Sequence, residues 1–149
     1  MSDAVVFNHL GQCVRDLARS RRFYEQLLGF TFWRQIMPPD ESSAQLLGLD
    51  GALGMTACYL RRGGLVLELL HFSAPERQHE PSARSVDEPG LTHISLSCNI
   101  EAVCARVAEF GGEVLVNTNI GAAVFIRDPD GQLVELLPLS YADYVAAIE

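Results

Sequence analysis

Two stretches of the chain repeat one pattern. Gly64-Leu-Val-Leu-Glu-Leu-Leu-His71 and Gly131-Gln-Leu-Val-Glu-Leu-Leu-Pro138 each set a turn glycine before a short apolar run. Each run carries one glutamate, Glu68 in the first and Glu135 in the second, at the same offset from its glycine. Leu and Val at this density over so short a span predict a buried strand. A carboxylate in the middle of such a strand is costly unless a positive partner meets it. Two carboxylates in matching frames predict a duplicated unit with a common use for the acid.

The rest of the chain sorts around these two strands. In the first half, residues 5–14 alternate so that Phe7, His9, Gly11 and Cys13 share one face of a strand. Asp16 is placed to cap a helix over Leu17 to Leu28, and Gly29 to stop it. Strands are expected over Phe30 to Ile36, Met55 to Leu60 and Leu65 to Phe72, with a Pro- and Ser-rich loop after Ile36 and a turn over Arg61 to Gly64. Residues 73–90, with Pro75, Pro81 and Pro89, form a linker. The order then restarts: a strand from Leu91 to Cys98, a helix from Ile100 to Phe110 and strands from Glu113 to Asn117 and Ala122 to Arg127. An Asp128-Pro-Asp-Gly131 turn and a strand from Leu133 to Pro138 complete the second half. A short helix, residues 141–148, ends the chain. The expected fold is α+β: one domain, residues 1–149, built from two βαβββ modules over 5–72 and 91–139.

The halves correspond by role. His9 and His93 lie in the first strand of each, Glu68 and Glu135 in the last. A lone buried histidine is ordinarily a core residue with its polar atoms satisfied, and a lone glutamate in a strand can keep its head in water at an edge. Four such cases in one repeat pattern have a single common explanation in a divalent cation. Two carboxylates and two neutral imidazoles cancel its charge. The mixed N/O donor set suits Ni, Zn, Co, Mn or Fe and disfavours Ca.

Composition narrows the partners. The net charge is −8 and the pI about 4.9, which argues against nucleic acid and anionic membrane surfaces. No run reaches the length of a membrane span, and no basic region followed by an apolar stretch opens the sequence, so a cytoplasmic protein with a small-molecule substrate is expected. Cys13, Cys58, Cys98 and Cys104 include no C-x-x-C pair and are expected to be free, buried thiols. His71 is expected to face away from Glu68. Trp33 and Phe32 are expected to pack rather than stack on a ligand, and Arg61 and Arg62 to sit in a solvated turn.

Asn-His-Leu-Gly around His9, Asp16-Leu, Phe23-Tyr24, Leu28-Gly-Phe30, Leu67-Glu68-Leu69, Gly90-Leu-Thr-His93-Ile and Asp128-Pro-Asp-Gly131 with Val134-Glu135-Leu136 together resemble the vicinal oxygen chelate superfamily, which includes glyoxalase I. The resemblance runs from about Phe7 to Leu139. It implies paired βαβββ modules forming a half-open, eight-stranded cleft with the helices outside. It also implies a metal held by His9, Glu68, His93 and Glu135. Glu135, with Glu68 second, is the expected general base, because a carboxylate near a dry metal site can shift its pKa enough for that work. The ligand set is similar to that of glyoxalase I; methylmalonyl-CoA epimerase usually has Gln at the position of Glu68. The implied activity is that of a metal-dependent isomerase, epimerase or lyase acting through a stabilised enediolate or enolate. An Fe(II) extradiol-type dioxygenase and a non-catalytic ligand-binding or resistance protein are the alternatives. Cys13 and Phe72 stand where glyoxalase I has its glutathione-binding Arg and Asn. With Leu70 and Leu133 they are expected to line an apolar substrate site. A homodimer is expected, with all four ligands of each site supplied by one chain.

Overall fold

The computed structural model describes residues 4–82 and 84–143. By their contacts the described residues fall into two compact units, one within Met1–Leu17 and Gly29–His79, the other within Ala18–Leu28 and Glu80–Glu149.

The first unit is a four-stranded sheet. Its strands are β1 (Leu10–Cys13), β2 (Thr31–Ile36), β3 (Met55–Arg62) and β4 (Leu65–Phe72), in the order β1-β4-β3-β2. β1 runs parallel to β4, and β4, β3 and β2 are antiparallel neighbours. The second unit repeats this order with β5 (His93–Cys98), β6 (Glu113–Val114), β7 (Val124–Arg127) and β8 (Leu133–Pro138), as β5-β8-β7-β6 with β5 parallel to β8. The α+β class and the two βαβββ modules are thus as expected from sequence. Leu67, Leu69, Val134 and Leu136 are fully buried and Ile94 nearly so. The alternate positions, with Glu68 and Glu135, are half-buried. That alternation is the register the two glutamate runs implied.

Several element ends differ from the expectation. Only Leu10–Cys13 of residues 5–14 is strand, and Val5, Val6 and Phe7 are exposed. Extended back from Leu10↔Leu67, the parallel register runs out at the first residue of β4, so the earliest residues have no strand to pair with. β5 likewise starts at His93, with Leu91 exposed. The first helix is α1 (Leu17–Arg22) followed by a π turn over Phe23–Leu27, and Gly29 ends it at φ 72°. Ile100–Phe110 divides into α3 (Ile100–Cys104), capped by the Asn99 side chain on Ala102 N, and a 3₁₀ turn, Val107–Phe110. β6 stops at Val114, and Val116–Thr118 is a 3₁₀ turn rather than strand. Tyr141 closes a 3₁₀ turn; residues 144–149, which carry the rest of the expected C-terminal helix, lie outside the described residues.

The loop expected after Ile36 contains α2 (Asp40–Leu47). Pro38 and Pro39 precede it, two acids open its first turn and Gly48 closes it in the left-handed region at φ 65°. The Asp40 carboxylate also accepts from Leu53 N and Gly54 N, at 3.1 Å each. Arg61 and Arg62 are strand residues, because β3 runs on to Arg62↔Leu65 and leaves Gly63-Gly64 as the whole turn. Gly63 supplies the positive φ of 55° that a two-residue hairpin needs. Among the described residues no helix is long and apolar enough to cross a membrane.

The second unit contains α1 and its π turn as well as its own sheet. The buried Tyr24 hydroxyl donates to Asp128 Oδ2 at 2.9 Å, and Arg19 pairs with Asp130 at 2.8 Å. Asp128 Oδ1 accepts from the backbone N–H of Asp130 and Gln132, fixing the Asp-Pro-Asp-Gly turn. Burial pushes the Asp128 carboxyl above its ordinary range, with the hydrogen bonds it accepts opposing that shift.

Candidate metal centre

The structure places the four expected ligands as two His–Glu pairs, one in each unit. In the first unit His9 Nε2 lies 3.0 Å from Glu68 Oε2. His9 immediately precedes β1, where Gly11 stands opposite Glu68, so strand alternation turns the imidazole to the glutamate's face. In the second unit His93 Nε2 lies 3.6 Å from Glu135 Oε2. Among the described residues no group of three or more His, Cys, Asp or Glu forms that could hold a metal ion. Each pair is half of the set expected from sequence.

Both imidazoles are oriented from behind. His9 Nδ1 is 2.6 Å from Asn8 Oδ1, and His93 Nδ1 is 2.8 Å from Thr92 Oγ1. An amide oxygen can only accept, so the Asn8 contact suits a proton on His9 Nδ1. In that tautomer Nε2 presents a lone pair to a carboxylate. Two acceptors 3.0 Å apart repel unless a second proton or a cation lies between them. A neighbour that fixes the far nitrogen is the usual support of a metal-binding histidine. The donor chemistry of each pair therefore fits a divalent ion.

The carboxylates are held differently. Tyr59 stands opposite Glu68 across β3 and β4 and donates its hydroxyl to Glu68 Oε1 at 2.6 Å. Burial first, then the hydrogen bond to Glu68 and its charge, push the phenol up to about 12, with Arg34 working against them. The hydroxyl thus stays a donor. Phe125 occupies the matching place opposite Glu135 and has no hydroxyl to give. Instead Ser95, opposite Glu135 on β5, donates to Glu135 Oε2 at 2.7 Å. Each aromatic ring meets its histidine edge-on: Tyr59 with His9 at 5.7 Å, Phe125 with His93 at 5.2 Å.

The expected substrate residues fall on these faces. Leu70 and Phe72 follow Glu68 at alternate positions and are half-buried; Leu133 stands opposite His93 and is half-buried. Cys13 is paired with Leu70 and is exposed. All four cysteines are free thiols, but only Cys58 is fully buried. Cys13 escapes burial because it shares the face of Gly11 and His9 rather than the core face. His71 alternates to the face opposite Glu68, as expected. Trp33 and Phe32 are not packed away: they are 41% and 42% exposed, on an edge strand whose register shifts between Phe32 and Arg34. Sequence reasoning passed over Asn8, Tyr59, Thr92, Ser95 and Phe125. The available signal was that a residue beside each histidine and a residue cross-strand from each glutamate must be chemically suited to them.

A family model described as the glyoxalase/bleomycin resistance protein/dioxygenase superfamily matches residues 6–136. No curated protein matches the sequence. Similar solved structures include the trypanothione-dependent glyoxalase I of Leishmania major, at 23% identity and a TM-score of 0.65, covering 94% of this chain and 91% of that one. A glyoxalase family protein from Bacillus cereus is 17% identical with a TM-score of 0.76 and coverage of 93% and 97%. A fosfomycin resistance protein from Mesorhizobium loti is 15% identical with a TM-score of 0.57 and coverage of 98% and 99%. At these identities the likeness is one of fold.

Proposed function

Because the chain belongs to the glyoxalase/bleomycin resistance protein/dioxygenase superfamily, we propose that it is a metal-dependent isomerase, epimerase or lyase whose two His–Glu pairs hold one divalent ion. The observation that carries this reading is the mirrored arrangement of the pairs, each with its Nδ1 occupied and its Nε2 turned to a carboxylate. His9, Glu68, His93 and Glu135 are the proposed ligands, and Ni, Zn, Co, Mn and Fe(II) the metals that suit them. The ion supplies Lewis-acid polarisation of adjacent substrate oxygens.

The chain's own residues supply the rest. Glu135 is the proposed general base, taking a proton from the carbon next to the polarised carbonyl and returning it at the neighbouring position. It has the looser setting of the two acids: its side chain is 25% exposed against 12% for Glu68, and its histidine is farther away. Glu68, gripped by Tyr59, is suited to stay in place. Leu70 and Phe72, which follow Glu68 at alternate positions, and Leu133, opposite His93, are the proposed apolar substrate contacts; apolar contacts strengthen electrostatic interactions by excluding water.

Two measurements test the reading. Calorimetric titration of stripped protein with Ni²⁺, Mn²⁺ or Zn²⁺ should give one site per four-residue set. Binding should be lost in His9→Ala and in Glu135→Ala; retention in both would end the proposal. Incubation of loaded protein in deuterated water with hydroxy-ketones, thiol hemiacetals and acyl-thioesters should show exchange at the α-carbon of one class. Oxygen uptake with a catechol would instead indicate an Fe(II) dioxygenase, and ligand binding without turnover a sequestering protein. Mixing His9→Ala and Glu135→Ala chains asks where the pairs come from in the proposed homodimer. No recovery of activity puts both in one chain, whereas recovery of about a quarter of the sites puts them on two.

A further inference from the structure

We propose that Arg34 and Arg61, mounted on Trp33 beside Tyr59, form an oxyanion subsite that takes a phosphate, phosphonate or carboxylate group on an arm of the substrate; this deepens, and rests on, the reading of Glu68 as part of the reaction centre. The Arg61 guanidinium lies 3.6 Å from the centroid of the Trp33 ring, and that of Arg34 lies 4.6 Å from Trp33 and 4.8 Å from Tyr59. Among the described residues neither guanidinium has a carboxylate partner. Arg19, Arg21, Arg84 and Arg106 in contrast each face an Asp or Glu. Two cations gathered on one indole repel each other, and Arg34 also acts on Tyr59, the donor to Glu68. Among the described residues Arg22, Arg62 and Arg77 also lack a carboxylate partner, but Arg22 lies over Phe110 and the other two donate to backbone carbonyls; what marks Arg34 and Arg61 is that both lie on one indole.

The sheet explains the location. Arg34 stands opposite Tyr59, and Tyr59 opposite Glu68. These three residues form a row across β2, β3 and β4, two strand spacings or about 10 Å wide. Arg61 follows Tyr59 at the alternate position and so shares its face. A guanidinium lying against a ring keeps its in-plane N–H donors for other partners, and their fork matches an oxyanion. β2 is an edge strand with all six residues exposed, so the approach is open. An anion bound there sits several bonds from oxygens that react at Glu68, and belongs to a substrate arm rather than to its reacting end. Among the described residues the second unit offers no counterpart. Arg127, the equivalent of Arg61, stands opposite Glu113, and Phe125 replaces Tyr59.

Trp33 is the sole tryptophan, beside four tyrosines, so fluorescence excited where tyrosine does not absorb reports this subsite. Metal-free protein is titrated with inorganic phosphate, methylphosphonate and acetate, with sodium chloride at matched ionic strength as reference. The expected result is a saturable change with at least one oxyanion, the strongest of the three identifying the group. Arg34→Gln and Arg61→Gln should each weaken it about tenfold, as loss of one charged hydrogen bond does. Arg61→Lys should recover part of the loss. A response no different from that to chloride, or a double Arg34→Gln/Arg61→Gln variant that binds as the parent does, overturns the proposal. Circular dichroism of the variants confirms that the sheet is intact. Because neither metal nor substrate is present, this test stands apart from the metal titration, and either can fail without the other.

Discussion

The two sheets have the same strand order and the same histidine and glutamate positions, yet they hold their carboxylates by opposite means. In the first sheet the donor comes from the antiparallel neighbour, Tyr59, and the parallel neighbour is a glycine. In the second the donor comes from the parallel neighbour, Ser95, and the antiparallel one is Phe125. A β-carbon on Gly11 would meet Glu68 Oε2 at 3.4 Å, an ordinary contact, but glycine itself has no hydroxyl to offer the carboxylate. A duplicated framework therefore leaves one acid under a large, buried phenol and the other under a small hydroxyl. The two acids are suited to different tasks.

The largest test of that difference is Glu135→Gln against Glu68→Gln. Glutamine can still offer an oxygen ligand but cannot take a proton. Loss of a general base is worth about 10²–10⁴-fold in turnover. Glu135→Gln should lower proton exchange at the substrate α-carbon by that order, with substrate binding little changed. Glu68→Gln should lose much less. The reverse ranking would exchange the two roles.

The hairpins on the glutamate strands differ as well. In the first, Gly63-Gly64 makes the turn and Arg62 Nη1 donates to Gly29 O at the surface. In the second, the turn is tied by Asp128, only 3% exposed, to its own backbone and to Tyr24. Asp128→Ala leaves a buried hydroxyl and two N–H groups without their acceptor and should cost about 2–3 kcal/mol in denaturant unfolding. Arg62→Ala should stay within about 0.5 kcal/mol. Asn at position 128 keeps an acceptor for both N–H groups and should be far milder than Ala. The raised Asp128 pKa fixes the sign of the pH effect. The folded state keeps the proton to higher pH than the unfolded chain, whose Asp titrates at about 3.9. Stability relative to Asp128→Asn should therefore fall as pH rises above that value through the folded pKa. A flat difference across this range would show the carboxyl to be unstressed.

How far the sequence disclosed all this follows from where the information sits. The glutamate runs fixed two strands, their faces and the buried partners Leu67, Leu69, Val134 and Leu136, because a period of two is local. His9 and His93 were legible as the first-strand residues of the same faces. Tyr59 was not, because its tie to Glu68 depends on the β3–β4 register, and that depends on a turn of two residues rather than the four expected. The same miscount hid Arg61, which becomes a face residue only once it is in the strand. α2 was missed because Ser42 and Ser43 carry a weak helical preference, while the fixing contacts from Asp40 to Leu53 and Gly54 are made across a loop. The partial exposure of Trp33, which packs against Tyr59 on one side, was not legible because hydrophobicity does not tell an edge strand from a central one.

The finest test removes each donor in turn. Tyr59→Phe gives the first sheet the aromatic residue of the second, and Ser95→Gly gives the second sheet the glycine of the first. Tyr59 holds an acid proposed to stay on the metal, and loss of such an outer partner weakens metal affinity about 10-fold or somewhat more. Turnover at saturating metal should change little. Ser95 holds the acid proposed to move, so Ser95→Gly should leave metal affinity nearly unchanged. It should instead alter turnover by a few-fold, because an unrestrained carboxylate spends less time in the geometry that proton transfer needs. Metal titration and α-carbon exchange, run on both variants, separate the two effects. The same shift in the same quantity for both would mean that Tyr59 and Ser95 do one job by two routes. The asymmetry of the sheets would then carry no division of labour between Glu68 and Glu135.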